Sequence, residues 1–203
     1  MTTPKPVYKV IVIGDNGVGK TSLRTRFLYG KFTSSYRATI GADFLTKNIN
    51  GMTLSIWDTA GQERFNSLGS SNPIFRGTDA AIFVFDSTNA SSFASLEKWL
   101  TQFLSSSGSP SPTIVLVGNK IDIPERTITS KQAQNFAQSK WKAKAEDVFF
   151  CSAKTDHQVK EVFNRVAYLL QNKIDGNQFQ METATDTVNL GRRSTSLTSK
   201  CCF

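Results

Sequence analysis

The feature that most constrains this chain is a glycine-rich segment that directly follows a short apolar run. Residues 10–13 are Val-Ile-Val-Ile, residues 14–21 read Gly-Asp-Asn-Gly-Val-Gly-Lys-Thr, and a helical pattern covers residues 22–28. A strand, a loop of this spacing and a helix favour a phosphate site, because backbone amides of the loop and of the helix N-terminus can surround an anion. The alternative is a glycine-rich turn without a ligand.

The residues of this segment have separate predicted roles. Gly17 and Gly19 let the main chain approach phosphates without a side-chain clash. Lys20 places a cation at the outer phosphates, and the hydroxyl of Thr21 can ligate magnesium. Three neighbours are predicted to bind the nucleotide as well: Asn16, Val18 and Ser22.

Apolar runs and helical patterns alternate along the rest of the chain. Strand-like runs cover residues 10–13, 80–85, 113–117 and 148–151, and a helical apolar stripe lies between residues 93 and 103. This alternation predicts strand–helix units around a mostly parallel sheet. Asn50-Gly51, between residues 42–49 and 52–57, predicts a tight hairpin that adds one antiparallel edge strand.

A second polar segment, Trp-Asp-Thr-Ala-Gly-Gln at residues 57–62, follows the hairpin. Asp58 ends a strand, where it can hold magnesium, and the Gly61 amide can reach a terminal phosphate. Gln62 can orient an attacking water because its amide both donates and accepts hydrogen bonds. Thr39 can add a second hydroxyl to the metal when a third phosphate draws its loop inward, so it is the predicted sensor.

The predicted base site is Asn119-Lys120-Ile121-Asp122, after the strand at residues 113–117. The Asp122 carboxylate can accept hydrogen bonds from N1 and the exocyclic amine of guanine, a donor pair that adenine lacks. Asn119 can bridge N7 and nearby backbone, and the Lys120 stem can cover one ring face. Ser152-Ala153-Lys154 supports this interpretation over a chance loop, because the Ala153 amide can reach the guanine oxygen.

With these motifs in order, residues 7–170 and the terminus resemble the Ras-like small GTPases and, within them, the Rab family. Residues 40–44, 57–63 and 75–77 carry the Rab resemblance. It implies an α/β P-loop NTPase fold: a mostly parallel six-stranded sheet with one antiparallel edge strand and helices on both faces. By the same resemblance Phe32 stacks on guanine and Tyr36 closes over the phosphates.

Two stretches indicate a branch of the family. Residues 37–47 look most like the late-endosomal and vacuolar Rab branch, whereas residues 186–190 resemble a related branch that recycles from late endosomes to the Golgi. The chain also departs from the family pattern. Its hairpin is shorter, residues 69–74 include extra residues with Pro73, and Ile74 stands where an aromatic side chain often packs with Phe44 and Trp57. These departures leave the choice of effector open.

The 203 residues are expected to form one GTPase domain, residues 1–174, and a flexible tail, residues 175–203. No signal peptide or membrane span is evident, so we expect a cytoplasmic protein that cycles to the cytosolic face of an intracellular membrane. Cys201-Cys202-Phe203 is similar to Rab tails that carry two geranylgeranyl groups, and the alternative is a pair of exposed thiols. Cys151 is expected in the core.

The charge balance, 24 basic against 16 acidic residues, gives +8 and is compatible with an anionic membrane or a basic exterior. We expect no nucleic-acid binding because the chain has no reader motif and no basic patch interleaved with aromatic residues. The resemblance implies a monomer that works with an exchange factor, a GDP dissociation inhibitor, a Rab escort protein and effectors that read the switches.

The expected chemistry is in-line attack of water on the terminal phosphorus of GTP, with magnesium as cofactor and GDP as product. No arginine is evident in cis at the site, and the resemblance implies that a TBC-type GTPase-activating protein supplies one in trans. Two alternatives remain open at this point: an interaction module that holds nucleotide without hydrolysing it, and a small-molecule kinase. The kinase does not explain residues 119–122 or the cysteine tail.

Overall fold

The computed structural model describes residues 5–34, 42–59, 73–109 and 111–185. Its strands are β1 (Val7–Ile13), β2 (Ala42–Ile49), β3 (Met52–Thr59), β4 (Ala80–Asp86), β5 (Thr113–Asn119) and β6 (Val148–Phe150). Its helices are α1 (Lys20–Tyr29), α2 (Ala90–Ala94), α3 (Leu96–Ser107), α4 (Ser130–Trp141) and α5 (Val159–Thr185). Short 3-10 turns cover Pro73–Phe75 and Ala145–Asp147.

The described strands form one six-stranded sheet in the order β2-β3-β1-β4-β5-β6. β1 pairs in parallel with both β3 and β4, the pairs β4–β5 and β5–β6 are parallel, and only β2–β3 is antiparallel. The strand order reverses beside β1, and ligands of such sheets bind at the carboxyl ends of the strands at this reversal. The loop that follows β1 is therefore at the position where a binding crevice is expected.

Alternate residues of the central strands pack against helices on opposite faces of the sheet, as the period of a strand requires. On one face Val10 and Val12 pack with Leu23 and Phe27 of α1 and with the apolar stripe of α5. On the other face the partners come from α3 and α4. β4 and β5 are buried along their whole length, which is typical of parallel strands covered on both sides. The predicted fold is confirmed.

The β2–β3 turn confirms the predicted hairpin. Asn50 has φ 46° and Gly51 has φ 81°, the two positive values that a tight primed turn needs, and Ile49 pairs with Met52. Asn and Gly reach this backbone region more readily than other residues. The turn fixes the register that brings Phe44 opposite Trp57 and Asp43 opposite Asp58.

The chain divides into two units, Met1–Leu170 and Gln171–Phe203, and the division falls within α5. The first unit holds both apolar clusters. The expected boundary between residues 174 and 175 stays a prediction. In the part of the chain that the structure describes, no helix combines the length and the apolar character needed to cross a membrane.

Candidate functional site

The loop between β1 and α1 can take its path only because glycine stands at two close approaches. A Cβ on Gly14 would lie 2.1 Å from the Val84 carbonyl oxygen, and a Cβ on Gly19 would lie 2.3 Å from Nδ2 of Asn119. Both positions also have positive φ, 151° and 97°. Any larger residue would push the loop away from β4 and β5, and so out of the crevice.

The N-terminus of α1 is arranged so that it can bind an anion. Gly19 caps the helix without a side-chain hydrogen bond to the first turn, so a ligand can satisfy the amides there. Lys20, only 5% exposed, donates from Nζ to the carbonyl oxygens of Gly14 and Asp15, both at 2.8 Å. The indole N–H of Trp99 in α3 donates to Oδ1 of Asp15 at 2.7 Å. These bonds hold the loop and the lysine in a fixed arrangement.

Asn119, at the end of β5, connects three separate segments. Its Nδ2 donates to the Val18 carbonyl oxygen at 2.9 Å, and its Oδ1 accepts from the Ala153 amide at 3.1 Å. The thiol of Cys151 lies 3.7 Å from the same Oδ1. Burial raises the pKa of Cys151 to about 12, so the thiol stays protonated and belongs to the core. The Asn119 side chain thus joins the phosphate loop to the loop after β6.

The carboxylate of Asp122 is fixed by residues of the loop that follows β6. Its Oδ1 accepts from the Ser152 hydroxyl at 2.7 Å, and Nζ of Lys154 lies 3.7 Å from its Oδ2. Ser152 is fully buried and its oxygen also accepts from the Thr155 amide at 3.1 Å. A fixed carboxylate at the rim of a cavity can accept paired N–H donors of a planar base.

Lys120 adopts a positive φ of 67° and pairs with Asp86 at the end of β4, with Nζ 2.6 Å from Oδ2. Burial alone raises the pKa of Asp86, but the hydrogen bonds from Lys120 and Thr88 outweigh burial, so the net pKa lies below its usual value. Asp86 therefore fixes the stem of Lys120, which lines the cavity beside Asn119.

The acidic side of the site fits a hard cation. Asp58 is fully buried, and in the described structure neither of its oxygens has a hydrogen-bond partner. Burial raises the pKa of Asp58, while Thr21, Arg24 and Lys20 each act to lower it. Because a buried carboxylate without a partner is costly, Asp58 and the Thr21 hydroxyl suit magnesium, which takes few protein oxygens when phosphates supply others.

The phosphate loop, the Asp122 carboxylate and the loop after β6 meet at one cavity of about 710 Å³, whose lining does not include the predicted metal ligand Asp58. Its lining includes most of the described residues that the sequence predicted: Asn16, Gly17, Gly19, Lys20, Thr21, Ser22, Phe32, Asn119, Lys120, Asp122, Ala153 and Lys154. Val18 and Ser152 are buried and support the lining through the hydrogen bonds above. The roles assigned to these residues stay predictions.

Sequence reasoning missed several residues that the structure brings to the site. Arg24 is the most informative, because Nη2 lies 3.9 Å from Oδ2 of Asp58. Its spacing from Lys20, one helical turn, places both side chains on one side of α1, but no signal in the sequence shows its approach to Asp58. Further residues line the cavity: Thr25, Lys31, Thr33, Ser34, Thr59 and Ile123.

Other predicted residues lie outside the described ranges: Tyr36, Thr39, Gly61, Gln62, Cys201 and Cys202. Among the described residues, the exposed ring of Phe44 stacks on Trp57, with centroids 4.8 Å apart and planes at 18°. Ile74, in the 3-10 turn Pro73–Phe75, and Trp57 are both partly buried and pack against the second apolar cluster. The aliphatic Ile74 and the stacked Trp57 therefore border the same apolar cluster.

Comparison with known proteins agrees with this geometry. A model described as the Ras family matches residues 9–172. The chain is 41% identical over 198 residues to the Ypt/Rab-type GTPase YPT7 of Saccharomyces cerevisiae, covering 92% of each chain. It is 38% identical over 207 residues to the Ypt/Rab-type GTPase ypt7 of Schizosaccharomyces pombe, covering 97% of this chain and 98% of the relative.

A third relative, the Ypt/Rab-type GTPase Rab7 of Gibberella zeae, is 44% identical over 172 residues, which cover 80% of this chain and 82% of that protein. These matches do not favour the interaction module that lacks hydrolysis. They confirm the predicted Rab resemblance. The chain belongs to the Ras family, as a GTP-binding and GTP-hydrolysing member of the Ypt/Rab-type GTPases in the late-endosomal and vacuolar branch, where its Ypt7 and Rab7 relatives also lie.

Proposed function

We propose that this chain is a magnesium-dependent GTP/GDP switch that reads guanine through Asp122 and signals through the loops that respond to the third phosphate. The single observation that carries the proposal is the cavity of about 710 Å³ in which the phosphate loop, Asp122 and Ala153 meet. Asn119 supports it by bonding both to Val18 and to Ala153. Phosphate and base contacts are thereby held at a fixed separation.

For the phosphates, the amides at the start of α1 and the Lys20 ammonium stabilise negative charge that develops during hydrolysis. Lys20 reaches phosphates by exchanging its bonds to Gly14 and Asp15, or by sharing them. Thr21 and Asp58 would hold magnesium, which neutralises charge on the phosphates when it is bound. In this proposal Gln62 orients the attacking water and Gly61 donates its amide to the terminal phosphate.

For the switch, we assign the sensing of the third phosphate to Thr39, with Tyr36 closing over the phosphates and Phe32 stacking on the base. The position of Phe32 supports stacking on the base, because its ring is exposed at the rim of the cavity. The stacked pair of Phe44 and Trp57, with Phe44 exposed, forms a surface that effectors can read. Loss of the third phosphate would release the contacts that arrange this surface.

We assign the chain to vesicle-mediated transport at late endosomes, lysosomes or the vacuole, in line with its Ypt7 and Rab7 relatives. Its regulators would be an exchange factor, a TBC-type activating protein, a GDP dissociation inhibitor and a Rab escort protein. Prenyl groups on Cys201 and Cys202 would anchor it, since two lipids suffice for stable binding. Fractionation of cells tests this anchor. The double variant Cys201→Ser, Cys202→Ser should be lost from the membrane fraction. Unchanged membrane association of the variant would reject the proposed anchor.

Base recognition is tested by changing one functional group on each partner. Xanthine has a carbonyl where guanine has the exocyclic amine, so Asp122→Asn offers it an N–H donor in place of a carboxylate. Wild-type protein should prefer GDP to xanthosine diphosphate by about a hundredfold or more, and the variant should reverse this order. The measurement is competition against labelled GDP or labelled xanthosine diphosphate.

Asp156→Asn is the matched control for this experiment. Asp156 is exposed and has a positive φ of 67°, a conformation that Asn also tolerates. This control should keep the wild-type preference for GDP. An Asp122→Asn variant that still prefers GDP, with the control intact, would contradict the assignment of Asp122 to the base.

A further inference from the structure

Arg24 is a buried cation on the helix that carries the phosphate site. It lies three residues after Thr21 and four after Lys20 in α1, a spacing that puts these three side chains on one side of the helix. Its side chain is only 7% exposed. Buried arginine needs a partner, because a guanidinium stays charged in the interior of a protein.

The partners of Arg24 are two carboxylates. Nη2 lies 2.9 Å from Oδ2 of Asp43, and Nη1 donates to the Asp43 carbonyl oxygen at 3.0 Å. The same Nη2 lies 3.9 Å from Oδ2 of Asp58, while Nε has no hydrogen-bond partner in the described ranges. Asp43 and Asp58 are opposite each other in the β2–β3 ladder, so Arg24 spans the pair.

The two carboxylates differ in what they need from Arg24. The Asp43 side chain is 59% exposed and can be solvated by water. Asp58 is fully buried and its oxygens have no hydrogen-bond partner in the described structure, so it depends on nearby cations. The ion pair between Arg24 and Asp43 would by itself be enough to hold α1 against the sheet. The approach to Asp58 adds a charge where magnesium is expected.

We propose that Arg24 is a built-in counter-cation for Asp58 that weakens magnesium binding and stabilises the metal-free site. This inference rests on the magnesium site of the proposed function. A fixed positive charge beside a metal ligand repels an incoming cation, and it neutralises the same carboxylate when the metal is absent. Asp43, the second residue of β2, keeps the guanidinium paired when the metal occupies Asp58.

The test is the magnesium dependence of GDP release. Fluorescent GDP is loaded onto purified full-length protein, and its release is timed over a range of free Mg²⁺ concentrations. Arg24→Met, a neutral and unbranched side chain, should shift the Mg²⁺ concentration for half-maximal retention downward by about three- to tenfold. Its melting temperature should also rise more on adding Mg²⁺ than that of wild-type protein, because the metal-free form is selectively destabilised.

Two variants isolate the charge at this position. Arg24→Lys keeps the charge and should retain the wild-type midpoint even if its stability falls. Lys140→Met removes one positive charge from the half-exposed pair with Glu97 and should leave the midpoint unchanged. If Arg24→Met does not fold, Arg24→Gln, which can still donate to Asp43, is the second neutral variant and should show the same downward shift.

The outcomes separate this inference from the proposed function. Magnesium-dependent release in wild-type protein with the same midpoint in Arg24→Met or Arg24→Gln would overturn the inference alone, and would reduce Arg24 to a packing residue. If the rate of GDP release from wild-type protein does not depend on the Mg²⁺ concentration, the proposed magnesium site itself would be overturned. A downward shift in the neutral variants, absent from Arg24→Lys and Lys140→Met, supports the inference.

Discussion

Nδ2 of Asn119 donates to the carbonyl oxygen of Val18 at 2.9 Å, across 101 positions of the sequence. The bond passes through space that only glycine leaves open, since a Cβ at Gly19 would lie 2.3 Å from the same nitrogen. Oδ1 of Asn119 accepts from the Ala153 amide at 3.1 Å. A side chain that is 2% exposed therefore sets the position of the phosphate loop relative to the base loop.

Asn119→Ala should release both loops. It leaves the Val18 carbonyl and the Ala153 amide without their partner, and each buried unsatisfied group costs about 1–3 kcal/mol. We expect a lower free energy of unfolding in urea and release of labelled GDP at least about tenfold faster. Asn135→Ala, at an exposed position of α4, is the control and should match wild-type protein in both measurements. Equal release rates for the two variants would refute the role of Asn119.

Trp99→Phe should loosen the phosphate loop through Asp15. The change keeps an aromatic ring but removes the N–H that donates to Asp15 at 2.7 Å. Trp141→Phe is a matched control, because Nε1 of Trp141 has no hydrogen-bond partner in the structure as described. We expect Trp99→Phe to accelerate GDP release by about five- to tenfold, in line with a hydrogen bond worth about 1–1.5 kcal/mol. Comparable release in both variants would show that Asp15 does not need Trp99.

The pair of Lys120 and Asp86 predicts a pH-dependent contribution to stability. Because the folded pKa of Asp86 is lowered, the stabilisation is fully present above its unfolded pKa, about 3.9, and is lost as pH falls through the folded value. Asp86→Asn should cost about 2 kcal/mol near pH 7, the scale of a hydrogen bond to a charged group. Urea unfolding at several pH values should show this difference shrinking below about pH 4. A difference that stays constant with pH would contradict the assignment.

The sequence predicted the parts of the fold that depend on local pattern. The run at residues 10–13 with its glycine loop located β1 and α1, and Asn50-Gly51 located the hairpin, because turn chemistry and apolar period act over a few residues. Motif spacing also predicted a group of residues that line one cavity in the structure. The apolar stripe between residues 93 and 103 likewise located α3, because its period of about 3.6 residues is that of a helix.

Pairings between distant side chains could not be predicted in this way. Arg24 reads as an ordinary charged residue of a helix until the β2–β3 register brings Asp43 and Asp58 together beside it. The bond from Trp99 to Asp15 likewise depends on how α3 packs against the sheet. Burial and side-chain direction decide these contacts, and neither follows from residue type or local spacing alone.

The most direct test of the central claim is competition for labelled GDP on the purified protein with magnesium, with GTP and ATP as rivals. The site geometry predicts that GTP displaces the label and that ATP does not, because adenine lacks the donor pair that suits the Asp122 carboxylate. Equal displacement by ATP and GTP, or no binding of GDP at all, would contradict the account of a guanine-specific switch.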